Sequence, residues 1–81
     1  MVTTTNEYPY KEYPYLVSIG DYDMTLKSQC CKDEDEAIRV SEQWEPLLGR
    51  EWNGNRTVCI ITVSRWNTET AEWNAIQETE F

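Results

Sequence analysis

The chain has 81 residues, a formal charge of −8 and no histidine. This length fits a single domain with a small core. The absence of histidine excludes the commonest general base, the nucleophile systems that depend on it, and most zinc sites. The acidic charge argues against direct nucleic-acid binding and against docking on an anionic membrane. It favours a protein partner with a basic surface.

Three cysteines are present, and none has the spacing of a metal or redox motif. Cys30 and Cys31 are adjacent, so in a strand they should face different environments and stay unpaired. Cys59 lies in an apolar stretch and is predicted to be a small core residue. Reduced cysteines and the lack of an apolar segment in MVTTTNEYPY predict a cytoplasmic protein. No motif indicates a cofactor.

The N-terminal segment repeats the motif Glu-Tyr-Pro-Tyr, at residues 7–10 and again at 12–15. Proline fixes its own φ and pushes the preceding residue toward extended backbone. Residues 1–12 are therefore predicted to be an extended arm, and 13–81 a single domain. Tyr8 and Tyr10 are candidate partner-binding residues, as a recognition peptide or an added strand. An arm that packs on its own domain and a disordered tail are the alternatives.

Alternating polarity predicts a hairpin after the arm. The first strand begins near Tyr13 and has Tyr15, Val17 and Ile19 on one face. Residues 20–23 provide the turn. In the second strand, the apolar residues Met24, Leu26 and Cys30 alternate with the polar residues Thr25, Lys27 and Gln29.

A helix is predicted over residues 34–45. Asp33 is a favourable N-cap residue, and Glu36 three positions later has the spacing of a capping box. Pro46 limits the helix, since its ring removes a backbone hydrogen bond. The core-facing stripe comprises Ala37, Val40 and Trp44, and Asp35 and Arg39 are an i,i+4 charge pair on the outer side.

Two more strands follow. Residues 50–56 are predicted to be a loop that turns at Asn53-Gly54. Residues 57–66 are apolar on both faces, which is typical of a central strand. Residues 67–70 form a turn, and 72–80 a final strand. The predicted fold is α+β, a small antiparallel sheet with one helix packed on a face, in the order β-β-α-β-β.

The negative charge is unevenly distributed. Residues 33–48 hold six acids and one base, 68–81 hold four acids and no base, and 49–67 hold three arginines and one acid. Asp35 and Glu42 lie on one outer helix face, roughly 10 Å apart at helical rise, with Glu45 at its edge. Such carboxylates can occupy phosphate positions on a basic groove. A solvated face whose first-turn acids complement the helix dipole is the alternative.

The chain has four tryptophans. Trp44 belongs to the helix stripe and is predicted to be core. The other three are difficult to bury together in a small domain, so at least one should be exposed and contact a partner. These candidates are Trp52, Trp66 and Trp73, of which Trp66 and Trp73 should meet across the last hairpin.

In size, acidity, aromatic content and lack of catalytic groups, the chain is similar to small acidic proteins with which viruses and mobile elements inhibit host nucleic-acid machinery. Anti-CRISPR proteins and restriction inhibitors are among them. The similarity implies a non-enzymatic inhibitor that mimics nucleic acid on a basic partner site. One alternative is an assembly subunit, such as a homodimer, that self-associates through aromatic surfaces and strand edges. A small enzyme built on paired carboxylates is the second alternative.

Overall fold

The structure, a computed structural model, describes residues 12–81. These residues form a four-stranded antiparallel sheet with one α-helix against a face, which confirms the α+β class. The candidates Tyr8 and Tyr10, with most of the predicted arm, lie outside the described residues. The elements are β1 (Tyr15–Gly20), β2 (Thr25–Cys31), α1 (Glu34–Trp44), a 3-10 turn (Glu45–Leu47), β3 (Glu51–Trp52), β4 (Arg56–Thr57), β5 (Ile60–Asn67) and β6 (Glu72–Glu80).

The strands of the main sheet are arranged in the order β2-β1-β5-β6. Two hairpins, β1–β2 and β5–β6, meet along the antiparallel central pair of β1 and β5. Helix α1 connects the hairpins and packs mainly on β1 and β5. The predicted arrangement of a hairpin on each side of one helix is therefore present, but the predicted order lacks one element.

The missing element is a second, two-stranded sheet in the segment predicted to be a loop. Strands β3 and β4 pair Glu51 with Thr57 and Trp52 with Arg56. Three residues, Asn53, Gly54 and Asn55, connect the paired Trp52 and Arg56. Asn53 and Gly54 have positive φ, 55° and 78°, and Asn55 donates its backbone N–H to Trp52 O at 3.4 Å, which closes the turn. The turn was predicted from Asn53 and Gly54, but strands of two residues are too short to produce a readable alternation.

Strand β5 begins later than predicted. Val58 donates its backbone N–H to Arg50 O at 3.0 Å and accepts from Gly49 N at 2.7 Å. Cys59 donates to Gly20 O at 2.8 Å. These bonds bind residues 58–59 to the loop after α1 and to the end of β1, so the β5 ladder starts at Ile60.

The core lies between α1 and one face of the sheet. It comprises Val17, Ile19, Cys31, Ala37, Val40, Trp44, Val58, Ile61 and Val63. The prediction that Cys59 is the core cysteine is wrong, since Cys31 is fully buried and Cys59 only half-buried. Cys30 is exposed, which confirms that the two adjacent cysteines face different environments.

The apolar face predicted for β2 is confirmed at Leu26, which packs against the core, and is wrong at Met24 and Cys30. The β1–β2 register pairs Ile19 with Lys27 and, after a shift, Gly20 with Thr25. Lys27 is consequently on the helix side, where its ammonium lies 4.8 Å from the centre of the Trp44 ring. This cation–π contact accommodates a charge at the rim of the core. Met24 and Cys30, predicted to be internal, are exposed.

Helix α1 begins as predicted. Asp33 accepts a hydrogen bond from Glu36 N at 2.8 Å, and Glu36 Oε1 accepts one from Lys32 N at 2.9 Å. The helix ends at Trp44, and Pro46 lies in the following 3-10 turn. The predicted charge pair of Asp35 and Arg39 does not form an ion pair in the structure. Among the described residues, no helix has the length and apolarity needed to cross a bilayer.

Candidate functional site

The outer face of α1 carries the acidic residues predicted to bind a partner. The buried residues of the helix are Ala37, Val40, Ser41 and Trp44. Because side chains three and four positions apart share a face, the opposite ridge carries Asp35 and Glu42, with Arg39 between them. All three are exposed, as is Glu45 at the edge of the ridge. The structure thus brings Asp35, Glu42 and Glu45 to one solvent-facing surface, called the α1 outer face below.

The acids of this segment divide into two groups by their contacts. Asp33 and Glu36 accept the backbone hydrogen bonds that cap the helix. The side chains of Asp35, Glu42 and Glu45 make neither a hydrogen bond nor an ion pair to any residue of 12–81; the ion pair found in that range joins Arg56 to Asp21. The first group is explained by helix stability, and the second keeps its charge available to a partner.

The end of α1 strengthens this distinction for Glu42 and Glu45, whereas Asp35 lies in the first turn. The last turn contains no basic residue. Carboxylates are favourable near a helix N-terminus and unfavourable near its C-terminus, where the helix dipole is negative. Glu42 lies in the last turn and Glu45 is the C-cap. Stabilisation by the dipole therefore accounts for the acids at the start of α1 but not for those at its end.

The tryptophans are less exposed than predicted. Trp44 is 8% exposed and belongs to the core, as predicted. Trp52 is half-buried against the core. Trp66 and Trp73 are cross-strand partners whose ring centroids lie 5.2 Å apart at 70°, an edge-to-face pair, and both are half-buried. Their predicted meeting across the last hairpin is confirmed, but the expectation of an exposed tryptophan is wrong.

A second surface, which the sequence did not indicate, is organised by Asp21 in the β1–β2 turn. Asp21 Oδ1 accepts hydrogen bonds from the backbone N–H groups of Asp23 at 3.0 Å and Met24 at 3.1 Å. Its other oxygen forms an ion pair with Arg56 of β4. The hydrogen bond from Arg56 is the main cause that lowers the pKa of Asp21, and the two backbone bonds add to it. The carboxylate therefore joins the turn to the β3–β4 hairpin.

Tyr22, the next residue, connects this turn to the last strand. It has φ 77°, which is uncommon outside glycine. Its hydroxyl donates to Glu80 Oε1 at 3.2 Å. Partial desolvation and this hydrogen bond raise the pKa of Tyr22. Between the turn and β5 lies a concavity of about 240 Å³, lined by Ser18, Ile19, Gly20, Tyr22, Asp23, Met24, Thr25, Ile60 and Thr62.

Within residues 12–81, no three histidine, cysteine, aspartate or glutamate side chains converge so that they could hold a metal ion. Comparisons with protein-family models, with curated proteins and with solved structures find no match for this chain.

Proposed function

We propose that this protein is a non-enzymatic, cytoplasmic binding module that docks the α1 outer face on a basic surface of a protein partner. The observation that carries the proposal is the position of Glu42 and Glu45. They are exposed, make no side-chain hydrogen bond or ion pair within the described residues, and occupy the helix end at which carboxylates destabilise a helix. The presence of two acids there is most simply explained by a partner that presents cations.

We further propose that the partner surface is one that binds nucleic acid. Asp35 and Glu42 are two helical turns apart, roughly 10 Å along the axis, on a helix whose buried side fixes which side faces out. A rigid row of carboxylates can occupy the places of phosphates on a groove lined by lysine and arginine. The protein would then be an inhibitor of viral or mobile-element origin, of the anti-CRISPR or DNA-mimic type.

The expected contribution of these charges is kinetic as well as energetic. Exposed ion pairs each contribute only about 0–1 kcal/mol, so three carboxylates alone do not produce a tight complex. Complementary surface potential, however, raises association rates by about 10-fold or more, and salt reduces this gain. Docking should therefore show strong salt dependence in the association rate.

The first experiment identifies the partner through the proposed surface. A photo-crosslinking amino acid replaces Glu42 on the α1 outer face, and in a control protein it replaces Thr68 in the exposed β5–β6 turn. Crosslinking in cells followed by mass spectrometry should recover a basic protein from the Glu42 position and not from the Thr68 position. The same proteins recovered from both positions would count against the proposed surface.

The second experiment measures binding of that purified partner. The triple variant Asp35→Lys, Glu42→Lys and Glu45→Lys should slow association by about 10-fold or more at low salt. The matched control reverses Glu51, Glu69 and Glu72, which are also exposed and give the same net charge. Asp33 and Glu36 are intact in both variants, so the helix cap survives. Equal binding by the two variants would refute docking through the α1 outer face.

The mimicry hypothesis has a test of its own. Duplex DNA and structured RNA should each be titrated against the complex, and at least one should displace the protein from its partner. If the triple reversal weakens binding but neither nucleic acid competes, the protein is an acidic binding module and not a nucleic-acid mimic. Sedimentation of the free protein at micromolar concentration tests the alternative of self-assembly, which predicts a stable oligomer.

A further inference from the structure

Exposed apolar side chains gather at the end of the sheet that carries the β1–β2 turn. Within the described residues, the exposed large hydrophobic side chains are Tyr22 at 63%, Met24 at 50%, Ile76 at 44% and Phe81 at 81%. Tyr22 and Met24 line the same concavity. Phe81 follows Glu80, the hydrogen-bond partner of Tyr22, and its ring lies against Gly49. Three of the four therefore belong to one end of the molecule.

The concavity opens on the face of the sheet opposite α1. Val17, Ile19, Ile61 and Val63 are buried on the helix side. Because strand side chains alternate, Ser18 of β1 and Ile60 and Thr62 of β5 point to the other side, where they form the floor. In the sheet register Ile60 is paired with Glu80 and Thr62 with Glu78, so these two acids stand on the same face as the floor residues.

The surroundings of the concavity are acidic. Glu80 accepts the Tyr22 hydroxyl hydrogen bond, Glu78 acts electrostatically on Tyr22, and Asp23 belongs to the lining. The guanidinium of Arg56 is already paired with Asp21. A half-exposed tyrosine ring and a methionine side chain thus border a hollow next to carboxylates that no cation of the described residues neutralises.

We propose that this concavity receives an arginine side chain from the surface of a basic protein partner. Arginine fits each part of the site. Its guanidinium can stack on the Tyr22 ring and donate hydrogen bonds to the carboxylates of Glu78 and Glu80, while its aliphatic stem packs on Met24. This inference rests on the proposed function for the basic character of the partner, and it adds a second contact on the opposite face of the sheet.

Charge complementarity selects this occupant over the alternatives. A purely apolar side chain would desolvate Glu78 and Glu80 without pairing them, which is unfavourable. An anionic ligand would be repelled by the same carboxylates. A second copy of the chain carries a charge of −8 and would bring like charges together.

The site is also held in place before any ligand arrives. Tyr22 keeps its positive φ because Asp21 binds the next two backbone N–H groups, and the Tyr22 hydroxyl is fixed by Glu80. Gly20 allows the turn to close, since any side chain there would collide with the backbone of Met24. A ring positioned in advance loses little further conformational freedom on binding.

The test uses a short peptide in place of the unidentified partner. Acetyl-Gly-Arg-Gly-amide is titrated into the ¹⁵N-labelled protein and followed by NMR, with the citrulline peptide as an uncharged control of nearly the same shape. We expect saturable shifts of the amides of Tyr22, Met24, Thr62 and Glu80 with the arginine peptide only. Equal shifts with citrulline, or shifts spread over all acidic residues, would overturn the proposal.

Variants then separate this site from the α1 outer face. Tyr22→Leu and Glu80→Gln should each weaken peptide binding by about fivefold, while Ile76→Ala, which removes an exposed apolar side chain outside the concavity, should not. The spectrum of each variant shows whether it is folded. The triple reversal of the α1 outer face should leave peptide binding unchanged at physiological salt.

The two proposals can fail separately. Peptide binding that is unaffected by Tyr22→Leu refutes the arginine site, whatever the crosslinking from Glu42 shows. Conversely, an arginine site that behaves as expected in a protein that captures no basic partner through α1 leaves this inference standing and overturns the proposed function.

Discussion

The two faces of the main sheet differ in what their residues contribute. On the face covered by α1, Val17, Ile19, Ile61 and Val63 are at most 1% exposed. The opposite face carries Ser18 and Thr62 at its centre, with Ile60, Glu78 and Glu80 beside them. In so small a domain one apolar layer supplies most of the stability. The other face, and the outer side of α1, are thereby free to carry side chains selected for binding.

The largest expected effect comes from a matched pair of substitutions on β5. Ile61→Ala removes a side chain that is 1% exposed, and Ile60→Ala makes the same change on the opposite face at a half-buried position. Ile61→Ala should lower the free energy of unfolding by about 2–5 kcal/mol, because it leaves a cavity in the core. Ile60→Ala should lower it by less than half as much. Urea denaturation measures both, and equal losses would contradict the assignment of stability to one face.

The adjacent Cys30 and Cys31 lie on opposite faces of the sheet, so their reactivity tests the difference between the two faces. Burial, with smaller contributions from Glu36, Cys30 and Asp33, raises the pKa of Cys31 from 9.0 to about 11. This rise in pKa lowers the thiolate fraction of Cys31 on the order of 100-fold, and burial also blocks the access of a reagent to its sulfur. At about pH 8, iodoacetamide should therefore modify the exposed Cys30 more than about 10-fold faster than the buried Cys31. Tandem mass spectrometry distinguishes the two sites. Equal rates in the folded protein would show that Cys31 is not enclosed.

Helix α1 contains both kinds of acidic residue: acids that cap the helix and acids whose carboxylates are free to bind a partner. Asp33→Ala removes the side chain that caps Glu36 N and should cost about 1 kcal/mol of unfolding free energy. Asp35→Ala removes an exposed carboxylate without a partner among the described residues and should change it by no more than about 0.5 kcal/mol. Thermal or urea denaturation compares them. A large loss from Asp35→Ala would mean that this acid stabilises the fold and is not reserved for binding.

Local signals in the sequence were sufficient for much of the fold. The spacing of Asp33 and Glu36 and the position of Pro46 gave the limits of α1, and periodicity gave its buried side. The same periodicity placed Asp35 and Glu42 on the outer face, because the position of the buried stripe on a helix determines which residues point away from the core. These features depend on residues a few positions apart, which is the range that sequence patterns report well.

Features set by tertiary pairing were missed. The face of β2 depends on a register shift after Ile19, and a shift of one residue exchanges the two faces of a strand. The concavity requires Tyr22 and Glu80 to meet, although they are 58 positions apart in the chain. Neither residue is unusual in its local sequence. Only the order β2-β1-β5-β6, which aligns the β1–β2 turn with the end of β6, brings them together.

The smallest expected effect concerns Asp21, which supports the turn at the edge of the polar face. Its pKa in the folded protein lies below the ordinary value of 3.8, chiefly because of the Arg56 hydrogen bond. A carboxyl group with a depressed folded-state pKa adds stability above its unfolded pKa, and this stability is lost as the pH falls through the folded value. Between about pH 6 and about pH 3, wild type should therefore lose slightly more stability than Asp21→Asn, which has no carboxylate to protonate.

Arg56→Gln should reduce the same pH dependence while it leaves Asp21 titratable, because it removes the largest cause of the lowered pKa. Asp23→Asn is the control, since that carboxylate lies in the same turn without the Arg56 pair. Urea denaturation at a series of pH values measures all four proteins. If Asp21→Asn and Asp23→Asn change the pH profile equally, the ion pair does not hold the turn. The preorganisation of Tyr22 would then have to come from Glu80 alone, and Glu80→Gln would be expected to release the ring.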